Sequence, residues 1–152
     1  MALNSKDEAL QIHNYLMATQ EDDGKWSQNM WLAGKPNWTG LQMDEISLPI
    51  VLVDKCFHDK KTSPERLKRY WPGLKKALSF LIIHGPDTQQ DRWEEEQGLT
   101  AFTLAAEITA LFRAAHMTDL AGDKEMAKYC SETADYWNEQ IEKWTYVTDT
   151  PL

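Results

Sequence analysis

From Thr100 to Ala121 the chain carries a helix-length run that is apolar almost all the way round: Phe102, Leu104, Ala105, Ala106, Ile108, Leu111, Ala114 and Ala115, closed by Gly122. A helix of that kind is expected to be buried on most sides, and a chain of 152 residues must arrange most of its remaining length around it. The next segment, about Asp123 to Trp144, is different in kind. Met126, Tyr129, Cys130, Ala134, Trp137, Ile141 and Trp144 keep one stripe, and charges take the other face. A buried helix followed by a half-exposed one predicts inner helices sheathed by outer ones.

Three earlier segments extend the pattern. A helix is expected over about Lys6–Ala18, opened by Ser5 and Glu8 as a capping box, with Ala9, Ile12, His13 and Leu16 on one face. A second, about Asp44–His58, repeats Ile46, Ile50, Val53 and Phe57 at helical spacing. Pro49 within it should kink the helix or mark its true start; the run Ile50–Val53 would also suit a short buried strand, but the spacing on either side favours helix. A third lies between Ser63 and His84, opened by Ser63-Pro64-Glu65, with Trp71-Pro72 as the place where it could restart. That makes about five helices and no convincing strand.

Two loops hold the unusual chemistry. Of seven Trp, three lie in the first loop, Gln20 to Gln42, at Trp26, Trp31 and Trp38. Structureless loops this long are usually functional or disordered. Indoles here either plug the helix ends or offer flat faces on which a sugar ring stacks, with Asp, Asn and Gln beside them for its hydroxyls. The second loop, His84 to Gly98, places Asp91, Glu94, Glu95 and Glu96 around Arg92 and Trp93. A solvated acidic turn capping the next helix is the plain reading. Against it stand the indole, the position at the mouth of the most apolar helix, and the cost of ionising clustered carboxyls, which makes one of them a candidate for a raised pKa. A protonated carboxyl near neutral pH is what cleavage of a glycosidic bond needs to protonate the departing oxygen.

Charge and composition exclude other classes. With 16 Lys+Arg against 24 Asp+Glu the net charge is −8, which argues against nucleic acid or an anionic membrane as partner. No apolar stretch is long enough to span a bilayer. The segment MALNSKDEAL lacks the apolar core of a signal peptide, so as it stands the chain reads as cytoplasmic. Cys56 and Cys130 form no metal or redox motif and are expected as buried free thiols. His13, His58, His84 and His116 are spread out with no mutual ligand spacing, and no metal site is expected. Glu107 is expected to hydrogen-bond a neighbouring loop. Asp91-x-x-Glu94-Glu95 also suits a divalent-metal site of the kind found in helical prenyl-diphosphate enzymes, but the second acidic motif of those enzymes is missing.

Asp91-Arg92-Trp93-Glu94-Glu95, then Gly98 and Thr103-Leu104-Ala105-Ala106-Glu107-Ile108, resembles the catalytic-acid segment of glycoside hydrolase family 15, the glucoamylases and glucodextranases, in its bacterial branch. Asp23-Gly24-Lys25-Trp26-Ser27-Gln28-Asn29-Met30-Trp31, with Gly34, Trp38, Gly40 and Gln42-Met43-Asp44-Glu45, resembles that family's first substrate loop. The resemblance covers about Glu8 to Val147. It implies an all-α fold, part of an (α/α)6 barrel, with about five helices in alternating inner and outer layers. The whole of 1–152 then reads as a single partial catalytic domain.

The implied chemistry is inverting hydrolysis of terminal α-glucosidic bonds, with no cofactor. By resemblance Glu94 is the general acid, Glu95 a neighbouring carboxylate that contacts substrate, and Asp44 the acid that hydrogen-bonds the non-reducing-end glucose. Trp93, Trp38 and Trp31 are expected as pocket walls, and Asp91 and Arg92 as further substrate contacts. Glu96-Gln97-Gly98-Leu99 departs from the small and aromatic residues usual after the Glu pair. The family's water-activating base lies beyond the matched segments. The chain is therefore expected to need the remainder of the catalytic domain as partner, to act on α-glucan or oligosaccharide, and to have little activity alone. Relatives are often exported. The alternative is a non-catalytic helical module that binds saccharide or self-associates through exposed inner-helix surface.

Overall fold

The structure, a computed structural model, describes residues 6–38, 40–58 and 63–147. In chain order it contains α1 (Lys6–Thr19), β1 (Asn29–Met30), β2 (Pro36–Trp38), α2 (Met43–His58), α3 (Pro64–His84), α4 (Ala101–Leu120) and α5 (Lys124–Thr145). Each helix lies within about two residues of its expected bounds. The local chemistry explains the boundaries. Ser63 caps α3 by accepting the Arg66 N–H at 3.3 Å, with Pro64 in the first turn. Asp123 caps α5 by accepting the Met126 N–H at 3.2 Å. The expected Ser5 cap of α1 lies outside the described residues.

Two expectations need correction. The first loop contains a strand pair: β1 and β2 are antiparallel, joined by a turn in which Gly34 takes a φ of 77°. Strands this short leave no alternation for a sequence pattern to detect. α3 does not restart at Pro72 but runs through it. Pro72 is exposed, so water can satisfy the carbonyl it leaves free. As expected, α2 is a helix; it runs through Pro49, and Ile50–Val53 belongs to it.

α2 is the innermost helix. Met43, Ile46, Ile50 and Val53 are wholly inaccessible. It packs against α4, whose Leu104, Ala110, Leu111, Ala114 and Met117 complete the core. α3 contributes one stripe, Leu67, Leu74, Ala77, Leu78 and Leu81. α5 contributes a narrower one, Cys130, Ala134 and Trp137, against α4. Inner α2 and α4 alternate with outer α3 and α5, as expected.

α4 itself departs from expectation. It is buried on one side only, for Phe102 and Phe112 are 44% and 61% exposed. The apolar flank has the composition of an inner helix, but among the described residues no element covers it. Leu48 on α2 is exposed in the same way. Cys56 and Cys130 are buried and form no disulfide.

Candidate active site

The two loops meet at the N-terminal ends of α2 and α4. Gln42 Nε2 donates to the Asp91 carbonyl at 3.1 Å, and the Trp38 indole N–H donates to Gln90 Oε1 at 3.2 Å. The Leu41 N–H reaches Gln89 Oε1 at 3.4 Å. Thr88 is the buried stitch: its hydroxyl accepts from the Met43 N–H at 3.2 Å and donates to the Gln90 carbonyl at 2.7 Å. A reciprocal backbone pair, Thr88 with Gly98 at 3.2 and 2.8 Å, closes the base of the acidic loop. The aromatic loop, the first turn of α2 and the acidic loop therefore form one surface.

Asp91 organises the acidic loop. One of its oxygens accepts the backbone N–H groups of Trp93 at 3.0 Å, Glu95 at 3.1 Å and Glu96 at 3.5 Å. Desolvation raises its carboxyl, but these N–H groups outweigh that and hold it below its ordinary value. The loop also closes through its backbone, the Asp91 N–H on the Glu96 carbonyl at 2.7 Å and the Glu94 N–H on the Asp91 carbonyl at 2.9 Å. The wrap forces Glu94 to a φ of 64°. That left-handed conformation is uncommon for a residue with a side chain and recurs at functional sites. The Arg92 guanidinium lies 4.7 Å from the Trp93 ring centre and 4.6 Å from that of Phe102, bracing the indole.

The electrostatics tie the expected site residues together. Asp44 is 5% exposed, and its Oδ1 has no hydrogen-bond partner. Burial lifts its carboxyl above the ordinary value; the charge of Arg92 and a bond from Gln42 oppose this, and Asp91 adds to it. Glu45, next in the chain, is pushed up to about 7, by burial first and then by the charges of Asp44 and Glu94. Asp44, Glu45, Asp91, Arg92 and Glu94 thus act on one another at this end of the helices. Trp38 and Trp93 stand 48% and 69% exposed on the same surface, while Glu94 and Glu95 project to solvent.

Not every expected residue joins them. Among the described residues, no hydrogen bond or ring contact links Trp31 to the acidic loop; it sits in the turn between β1 and β2. Trp26 is a plug. It is buried, and its indole N–H bonds the Leu16 carbonyl at 2.7 Å, closing the end of α1.

Two acids carry more than the sequence suggested. Glu45 is one. Glu107 is the other: it is wholly buried, and neither oxygen has the expected hydrogen bond to a loop. Gly85 instead packs against it so closely that a Cβ there would stand 2.7 Å from Oε1. Burial, with the charges of Asp44 and Asp87, pushes Glu107 up to about 8, which keeps it neutral at pH 7. The visible signal was an acid one helical turn beyond Thr103 on an otherwise apolar face. Spacing did not show that Asp44 faces it.

The chain is similar to known proteins over most of its length. Residues 14–150 match the family described as Glycosyl hydrolases family 15. The chain is 38% identical over its whole length to a glucoamylase of Clostridium sp. (strain G0005), of which it covers 20%. It is 28% identical over 89% of its length to an uncharacterized glycosyl hydrolase of Methanocaldococcus jannaschii, of which it covers 22%. Its structure superposes on a bacterial glucoamylase crystallised with acarbose, with a TM-score of 0.81, 36% identity, and coverage of 92% of this chain and 20% of that one. A glucoamylase of Saccharomycopsis fibuligera shares the fold, with a TM-score of 0.69 at 19% identity, over 85% of this chain and 32% of that one. The chain thus spans about a fifth of the length of the curated relatives it matches. Its helices form part of the (α/α)6 barrel of these enzymes, and the chain belongs to glycoside hydrolase family 15.

Proposed function

We propose that this chain forms the acid-bearing part of an inverting α-glucosidase site of the glucoamylase or glucodextranase type. The observation that carries the reading is the joining of the two loops, which brings Asp44, Glu45, Asp91, Arg92 and Glu94 within each other's electrostatic reach on a surface that also carries exposed Trp38 and Trp93. Glu94 donates the proton to the bridging oxygen of a terminal α-glucoside. Trp93 and Trp38 take the C–H faces of the sugar rings, and Trp31 lies further out. Asp44 offers a buried acceptor without a partner, for which a glucose hydroxyl supplies the missing donor. Glu95 and Arg92 contact substrate hydroxyls, and Asp91 serves them by holding the loop that presents them. The substrate class, an α-linked glucose oligosaccharide, is supported by the acarbose bound to the related bacterial glucoamylase.

In this reading residues 1–152 are one partial catalytic domain. The water-activating base comes from elsewhere in the catalytic domain, because inversion requires two carboxyls ~6.5–9.5 Å apart on opposite faces of the sugar. The exposed flank of α4, with Phe102 and Phe112, is the surface to which further barrel helices or a second copy dock.

The test is a transplant. Residues 14–150 replace the matching segment of the Clostridium glucoamylase, and glucose release from maltose and isomaltose is measured. The chimera is expected to be active, with Glu94→Gln lowering kcat by ~10²–10⁴-fold, and the chain alone to release little or no glucose. Unchanged kcat in the Glu94→Gln chimera, or Glu94-dependent hydrolysis by the isolated chain, contradicts the assignment.

A further inference from the structure

At the other end of the α2–α4 pair, about ten residues or ~15 Å of helix from Asp44, three side chains meet that no part of the glycosidase reading uses. Asp54 and His58 lie one turn apart on α2, and His116 comes from α4. The sequence places the two histidines far apart and gives them no ligand spacing. The fold brings their rings to 5.3 Å between centroids. One donor atom from each of Asp54, His58 and His116 lies within 4.8 Å of the other two.

We propose that Asp54, His58 and His116 form a site for a divalent transition metal of the zinc type. Three observations support it besides proximity. Asp54 is 2% exposed, yet its Oδ1 has no hydrogen-bond partner. His58 Nδ1 stands 3.3 Å from that oxygen, within ion-pair reach but outside hydrogen-bond geometry. Two ligands bound at ~2.0–2.1 Å in a tetrahedral shell are themselves ~3.3 Å apart, so this pair is already at metal-ligand spacing. Both imidazoles are exposed in this chain. A small rotamer change of His116 therefore closes the third ligand, and water takes the fourth position.

The donor set of two imidazoles and one carboxylate suits zinc, nickel or copper. It offers too few oxygens for calcium or magnesium. Arg113 Nη1 lies 3.7 Å from the other Asp54 oxygen, Oδ2, and so balances the buried charge without occupying the ligand atom. A bound ion would clamp the far ends of two helices whose near ends carry the candidate active site.

The test is zinc titration of tag-free protein by calorimetry, followed by thermal unfolding with and without zinc. One equivalent is expected to bind with a Kd below ~10 µM and to raise the Tm by several degrees at saturation. Magnesium and calcium should not compete. His116→Ala and His58→Ala, both at exposed positions, should each weaken binding at least tenfold, whereas His84→Ala should leave it unchanged. Absence of binding up to 100 µM zinc, equal binding by His116→Ala and the parent, or displacement by calcium would each overturn the proposal.

Discussion

Glu94 owes its placement to a conformation it does not favour. A φ of 64° costs a side-chain-bearing residue roughly 1–2 kcal/mol, and Asp91 offsets this with the three N–H groups it accepts. Asn adopts the left-handed region more readily than Glu. Glu94→Asn is therefore expected to keep or raise the Tm by a few degrees while abolishing hydrolysis in the chimera; a large fall in Tm would show that Glu94 serves the fold. Asp91→Ala should act in the opposite sense. It strips the loop of its anchor, and limited proteolysis should then cut between residues 91 and 96 faster than in the parent. Asp91, Arg92, Trp93 and Glu94 could be singled out from the sequence because their types and order resemble the family's catalytic-acid segment. Glu45 and Glu107 could not, because what distinguishes them is burial beside Asp44, which is set by packing and not by spacing.

The elements are held together by a few polar stitches. Thr88, wholly buried, serves both loops and the start of α2. Thr88→Val keeps the shape but leaves the Met43 N–H and the Gln90 carbonyl without this partner, which should cost about 1–3 kcal/mol, read as a lower midpoint in urea unfolding. Gly24 docks the first loop on α3: its φ is 103°, and a Cβ there would lie 2.4 Å from the Lys76 carbonyl oxygen. Gly24→Ala should destabilise by at least about 2 kcal/mol, and a neutral effect would mean that the loop is not docked as described. The helices were legible because apolar periodicity and caps are local signals. The β1–β2 pair and the continuity of α3 through Pro72 were not. One is too short to show a period, and the other depends on which side of the helix meets water.

At the scale of the whole molecule, the charge arrangement sets a pH dependence and the exposed flank an association tendency. Glu107 has a folded-state value near 8 against an ordinary 4.5. The folded state thus holds a proton that the unfolded chain releases, and stability is lost as pH rises between those values. Glu107→Gln is expected to be close to the parent at pH 5 and more stable than it at pH 8.5, the gap widening with pH; a constant gap would place the carboxyl in contact with solvent. The uncovered apolar face of α4 should drive concentration-dependent association in sedimentation velocity, weakened by Phe112→Lys. The layering of inner and outer helices was readable from the contrast between the segments that became α4 and α5. Which flank of α4 stays bare was not, since it depends on the neighbours available. In the proposed function the two loops present one sugar-binding face beside Glu94. Its most direct test is NMR of the indole N–H signals of the 15N-labelled chain during titration with acarbose to millimolar concentration. Saturable shifts of Trp38 and Trp93 that Glu94→Gln alters are expected, with buried Trp26 unmoved; Trp38 and Trp93 signals that stay fixed throughout would rule out such a face.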